Sequence, residues 1–80
     1  MANLPINILA EWDPEASVWV ATSDDVNGLA IESPTLETLA ERLPGVLEDL
    51  IEGNHPELAG LRDIPFKVHA SMTGHLARTA

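Results

Sequence analysis

Eighty residues suffice for one domain with one core, in which folding buries about 60–65 % of the surface an unfolded chain exposes. The lack of cysteine excludes disulfides, thiolate metal sites and thiol nucleophiles together. Four Lys+Arg against thirteen Asp+Glu give a net charge of −9, which repels nucleic-acid backbones and anionic lipid, and 45 % hydrophobic residues are too many for a disordered acidic tail.

No apolar run reaches the ~18–20 residues of a bilayer span. The start, Met-Ala-Asn-Leu-Pro-Ile, lacks the basic and uninterrupted apolar parts of a secretion signal. The expectation is a single cytoplasmic domain over 1–80, with its core at about 5–72 and a loose tail at 73–80.

From Pro5 to Trp12 the residues Ile6, Ile8, Ala10 and Trp12 alternate with Asn7, Leu9 and Glu11, the period of a half-buried strand. Asp13-Pro14-Glu15 is turn chemistry, and Ser17 to Ser23 alternates again, so the two runs form a hairpin. Asp24-Asp25-Val26-Asn27-Gly28 is a second turn, with Gly28 supplying a positive φ. Leu29 to Glu32 makes a short third strand.

Ser33-Pro34 predicts a helix start, with the hydroxyl at the N-cap and proline at the first helical position. Leu36, Leu39, Ala40, Leu43, Leu47, Leu50 and Ile51 form one apolar stripe, which keeps phase across Pro44 and so predicts one kinked helix. Gly53-Asn54 and Pro56 end it. His55 to Asp63 connects, with a helical turn at Glu57–Leu61, to a strand of alternating Ile64, Phe66, Val68, Ala70 and Met72. Pro65 suits that strand to a sheet edge. The expected fold is α+β, β-β-β-α-β, a small antiparallel sheet with one helix on one face.

Hairpin register decides which residues the helix covers, since a one-residue slip exchanges the faces. Pairing Trp12 with Val18 segregates best: Ile6, Ile8, Ala10, Trp12, Val18 and Val20 face the helix, and Leu9, Trp19 and Ala21 face away. Trp12 is then a core residue. Leu9, Trp19 and Ala21 form a candidate oligomer interface, with Trp19 as its anchor.

The stretch Trp12-Asp13-Pro14-Glu15-Ala16-Ser17-Val18-Trp19-Val20-Ala21-Thr22-Ser23-Asp24-Asp25-Val26-Asn27-Gly28-Leu29 carries a WD-x-EA turn, a VWVA strand and an S-D-x-aliphatic-x-GL loop. Glu32 and the Leu36–Ile51 stripe follow it. Together they resemble a family of short bacterial proteins of unassigned function, grouped with the HicB-like antitoxins. The likeness runs from about Ile6 to Asn54, with a compatible last strand. It implies a β-β-β-α-β fold, a truncated relative of the ribonuclease H fold. In HicB antitoxins such a domain, within an oligomer, binds and blocks a small basic RNA-cleaving toxin, and a DNA-binding module commonly follows it. Only eight residues follow Met72 here, so direct operator binding is not expected.

Glu37, Glu41, Glu48 and Glu52 fall within about 60° of the helix circumference. As like-charge i,i+4 pairs they oppose helix stability. Glu48, Asp49 and Glu52 also crowd the end where the macrodipole prefers cations. These four glutamates are the candidate surface for a basic partner, against the plainer reading of a solvated face.

Asp13, Asp24 and Asp25 stand in turns, where Asp bonds its own backbone, rather than at metal-ligand spacing. His55, His69 and His75 show no ligand spacing and read as surface residues. The serines lack a nucleophile elbow, and Gly28 and Gly45 belong to no phosphate-cradling loop. No catalytic residue, metal or cofactor is expected. The first expectation is a non-enzymatic antitoxin-type domain that occludes a basic toxin and self-associates as a dimer or larger. The second is a stand-alone oligomeric ligand-binding or regulatory module without a toxin.

Overall fold

The alternation of Ile6, Ile8 and Ala10 with Asn7, Leu9 and Glu11 produces strand β1 (Ile6–Asp13), whose Ile6, Ile8 and Ala10 are fully buried. The structure, a computed structural model, describes residues 4–79. Strands β2 (Val18–Thr22) and β3 (Ala30–Ser33) continue β1 as an antiparallel meander. Helix α1 (Leu36–Asn54) and a single turn α2 (Pro56–Ala59) then carry the chain over the sheet. Strand β4 (Phe66–Ser71) returns on the far side of β1 and parallel to it, giving the order β3-β2-β1-β4. The expected β-β-β-α-β order holds. The helical crossover makes the last pair parallel, so the sheet is mixed rather than wholly antiparallel. As Pro65 implied, β4 is an edge strand.

The hairpin register corrects the expectation. Trp12 pairs with Trp19 and Asp13 with Val18, not Trp12 with Val18. The loop Pro14–Ser17 sets this register. The Asp13 carboxylate accepts from the amides of Glu15 and Ala16, the Ser17 amide donates to the Asp13 carbonyl at 2.8 Å, and Ser17 takes a left-handed φ of 56°. That closed loop fixes the pairing by backbone geometry, whatever the segregation of apolar side chains. Trp19 and Ala21 therefore lie on the helix side with Ile6, Ile8, Ala10 and Trp12, and Ala21 is fully buried. The two indole rings pack with centroids 5.4 Å apart, tilted at 59°.

Leu39, Leu43, Leu47 and Ile51 form the buried stripe of α1 and meet Ile6, Ile8, Ala10, Ala21, Val26 and Leu29 in one core, with Leu58 closing its end. The helix passes unbroken through Pro44, which lies on its exposed side. The N-cap is Thr35, whose hydroxyl accepts from the Thr38 amide at 3.1 Å; the expected cap, Ser33, is instead the last residue of β3. Ser33 is buried, opposite Trp19 in the ladder, and its hydroxyl accepts from Arg42.

The backbone of α1 runs over β2 and β3. A helix about 10 Å across covers roughly two strands spaced ~4.8 Å apart, so β4, at the other edge, lies beyond its cover. Val68 on the helix side of β4 is 37 % exposed, although its ladder partner Ile8 is fully buried.

Candidate functional site

Glu37, Glu41, Glu48 and Glu52 are all exposed along the outer side of α1. Among the described residues, the single ion pair joins His55 and Glu57, so none of these four carboxylates has a cation within 4.0 Å. Arg42, the one basic residue of α1, is turned the other way. Its guanidinium donates to the Glu32 carbonyl and to the Ser33 hydroxyl, tying the helix to β3. The acidic face is left uncompensated.

Glu48 and Glu52 also line a groove of about 380 Å³, together with Arg62. Its floor is apolar, made by Leu47 and Ile51 of α1 and by Leu61, Ile64 and Phe66 of the segment leading into β4. It is the gap left where the helix stops short of the sheet edge. A second shallow cleft of about 360 Å³ opens at the other end of the same flank, between Trp12, Trp19, Leu36 and Met72. Leu61 and Met72 are both exposed.

The three residues expected to form an interface are not brought together. Leu9, 40 % exposed, lies on the uncovered face of the sheet, whereas Trp19 and Ala21 lie beneath the helix. Pairing places Val18 and Val20, both half-buried, on the uncovered face beside Leu9, with Glu11, Glu32, Lys67 and His69 around them.

A polar cluster stands at one end of that face. The Asn7 amide donates to the Asp25 carboxylate at 2.8 Å, the Ser23 hydroxyl donates to the Asn7 carbonyl at 2.6 Å, and His69 Nε2 lies 3.2 Å from Asn7 Oδ1. The first two bonds satisfy Asn7 before the β1–β2 ladder begins at Leu9↔Thr22. Asp25 works as a backbone cap, as does Asp13 in its own turn. Among the described residues no group of three or more His, Asp or Glu is placed to hold a metal.

His55 is not the surface residue expected. It is half-buried, and its Nε2 accepts from the Asn27 amide at 3.2 Å while Nδ1 faces Glu57 Oε1 at 3.2 Å. It ties the end of α1 to the β2–β3 loop. The Glu57 carboxyl is held below the usual glutamate range chiefly by a backbone hydrogen bond; loss of hydration opposes this, and His55 adds to the lowering. Only the tertiary fold brings His55 to Asn27, so spacing along the chain gave no sign of it.

The sequence pattern of one family, described as a domain of unknown function and designated DUF1902, matches residues 5–77. That span takes in every element from β1 to β4. Among solved structures, the chain is similar to a hypothetical protein from the extremely thermophilic bacterium Thermus thermophilus. The two are 40 % identical, with a TM-score of 0.66 over 91 % of this chain and 97 % of that one. No curated protein matches. No helix of the described residues is long and apolar enough to cross a membrane.

Proposed function

The chain belongs to the DUF1902 family of domains of unknown function, and we propose that it is a non-enzymatic binding domain that holds a small basic protein on the outer face of α1. One observation carries this reading. Four exposed glutamates share one side of a helix whose only cation is bonded elsewhere. Like-charge i,i+4 pairs cost roughly 0.2–0.5 kcal/mol each, and acids in the last turn oppose the macrodipole. A basic partner would remove that repulsion on binding, and the field of a chain with net charge −9 would speed its approach.

The finer form of the proposal follows the resemblance to HicB-like antitoxins. The partner is then a cytoplasmic RNA-cleaving toxin, and α1 covers the basic surface with which it would hold RNA. Occlusion needs complementarity and a slow off-rate, and no catalytic group of its own.

The test mixes the purified protein with a small basic protein encoded beside it and follows RNA cleavage. Cleavage should fall to background at equimolar protein and return with the double variant Glu41→Lys/Glu48→Lys. Undiminished cleavage at saturating protein removes the toxin reading. Binding at full strength by the double variant removes the acidic face as the docking surface.

A further inference from the structure

The charge of the chain is divided along its length. All thirteen acids stand at or before Asp63, while the segment Ile64–Ala80 holds Lys67 and Arg78 and no acid at all. Part of this segment is β4, a sheet edge beyond the reach of α1, with its helix-side Val68 and Ala70 exposed. The rest is an arm, Met72–Thr79, with no regular structure and every residue exposed; Met72 is 67 % and Leu76 85 % open. The arm extends away from the domain. The molecule measures 59 × 21 × 18 Å with a radius of gyration of 15.1 Å, where about 12 Å is usual for eighty residues folded compactly.

The groove that Glu48 and Glu52 line includes Ile64 and Phe66, at the start of β4, and the arm leaves from the strand's other end. Six strand residues, about 20 Å, separate them. The arm holds no turn that would bring it back to its own groove. A two-fold axis solves this geometry. If two β4 edges pair antiparallel about an axis at His69, which keeps both helices on one face, each arm is carried past Phe66 of the other copy, and Thr73–Leu76 fall opposite Arg62–Pro65.

We infer that a second copy of this chain occupies the β4 edge, and that the two copies exchange arms, Leu76 of each seating on the apolar floor of the other's groove. Arg78 then approaches Glu48 and Glu52, whose two charges outnumber the one cation of the groove, Arg62. Phe66, Val68 and Ala70 of the two copies form one apolar strip between the two helices. The β4 edge, unpaired in a single chain, is satisfied by main-chain hydrogen bonds. Strand, arm and groove bring roughly two dozen residues a side to the contact, the size of a specific interface. The contact is isologous, as a two-fold dimer requires.

This inference does not rest on the acidic-face proposal. The two readings share Glu48 and Glu52, while Glu37 and Glu41 stay outside the dimer contact; the mass of the isolated protein tests the dimer without any basic partner. The test is mass in solution by sedimentation equilibrium from micromolar to millimolar protein. Expected is twice the 8.6 kDa of one chain. Leu76→Asp, at a side chain that supports nothing within a single chain, should weaken the dimer about tenfold or more. Ending the chain after Met72 should give a folded monomer by circular dichroism. A wild-type monomer throughout the range overturns the inference, and so does a dimer that Leu76→Asp leaves at full strength.

Discussion

Ile8 and Val68 are neighbours in one ladder and face the same side of one sheet, yet the first is fully buried and the second 37 % exposed. The alternation of apolar residues is as regular in β4 as in β1, so sequence does not separate them. Position under the helix does. α1 lies over β2 and β3, its stripe reaches the side chains of β1, and β4 is left beyond it. One half of the sheet supplies the core. The other half offers a pattern made for burial with nothing in a single chain to bury it.

That contrast predicts unequal costs for similar truncations. Ile8→Ala should lose about 2–5 kcal/mol, the range for a large aliphatic side chain removed from a closed core. Val68→Ala should lose under about 1 kcal/mol in dilute protein, where β4 has only its own chain beneath it. Urea denaturation monitored by circular dichroism measures both. Equal losses at high dilution would mean that β4 is covered within one chain and would end the comparison. A Val68→Ala cost that grows with protein concentration would sharpen it, because mass action adds the partner's burial to apparent stability.

The stripe Leu39–Leu43–Leu47–Ile51, the even residues of β1 and the edge placement of β4 were all legible in the sequence, because burial imposes a period on side chains. The register was not legible. Apolar segregation favoured Trp12 opposite Val18, but the Pro14–Ser17 loop, closed by the Asp13 carboxylate with Ser17 at positive φ, fixed Trp12 opposite Trp19. Trp19 and Ala21 changed faces with that single step, and the expected interface dissolved. That the four glutamates share one exposed side of α1 needed only helical spacing. Their lack of compensation, with Arg42 bonded to β3, depended on a contact ten residues away that no pattern encodes.

The start of α1 shows the same competition at short range. Two hydroxyls flank Pro34, and the proline rule favours Ser33, yet Ser33 is held in the β3 ladder and Thr35 caps the helix. Thr35→Ala should therefore cost about 1 kcal/mol. Ser33→Ala should cost less, since Arg42 keeps its bond to the Glu32 carbonyl. The opposite ranking in thermal unfolding would move the cap back to Ser33.

The two faces of α1 should also respond in opposite directions. Truncation on the buried stripe destabilises. A charge reversal on the acidic face stabilises the single chain in dilute protein, because among the described residues no cation lies within 4.0 Å of those carboxylates. Glu52→Lys places a cation in a last turn that has none, four residues after Glu48 and so in the favourable order for an ion pair. The expected gain is about 0.5 kcal/mol, read as a higher urea midpoint at low salt and a smaller rise at high salt. A loss of stability would show that Glu52 serves the fold, and would weaken its assignment to partner binding.

The smallest expected effect tests how the packed half is fastened at the end of α1. Glu57 is exposed and its carboxyl lies below the usual glutamate range, chiefly through a backbone hydrogen bond and then through His55. A depressed folded-state value means that the charged form is favoured by folding. The contribution is present above the ordinary glutamate pKa and is lost as pH falls through the lowered one. Stability should thus decline slightly on acidification in that window, and Glu57→Gln should flatten the decline. Titration of the Glu57 carboxyl by NMR separates the two causes. His55→Ala removes only the second of them, so the carboxyl should move part of the way back toward its ordinary value. A complete return would make His55, and not the α2 backbone, the group that holds this corner in its charged state.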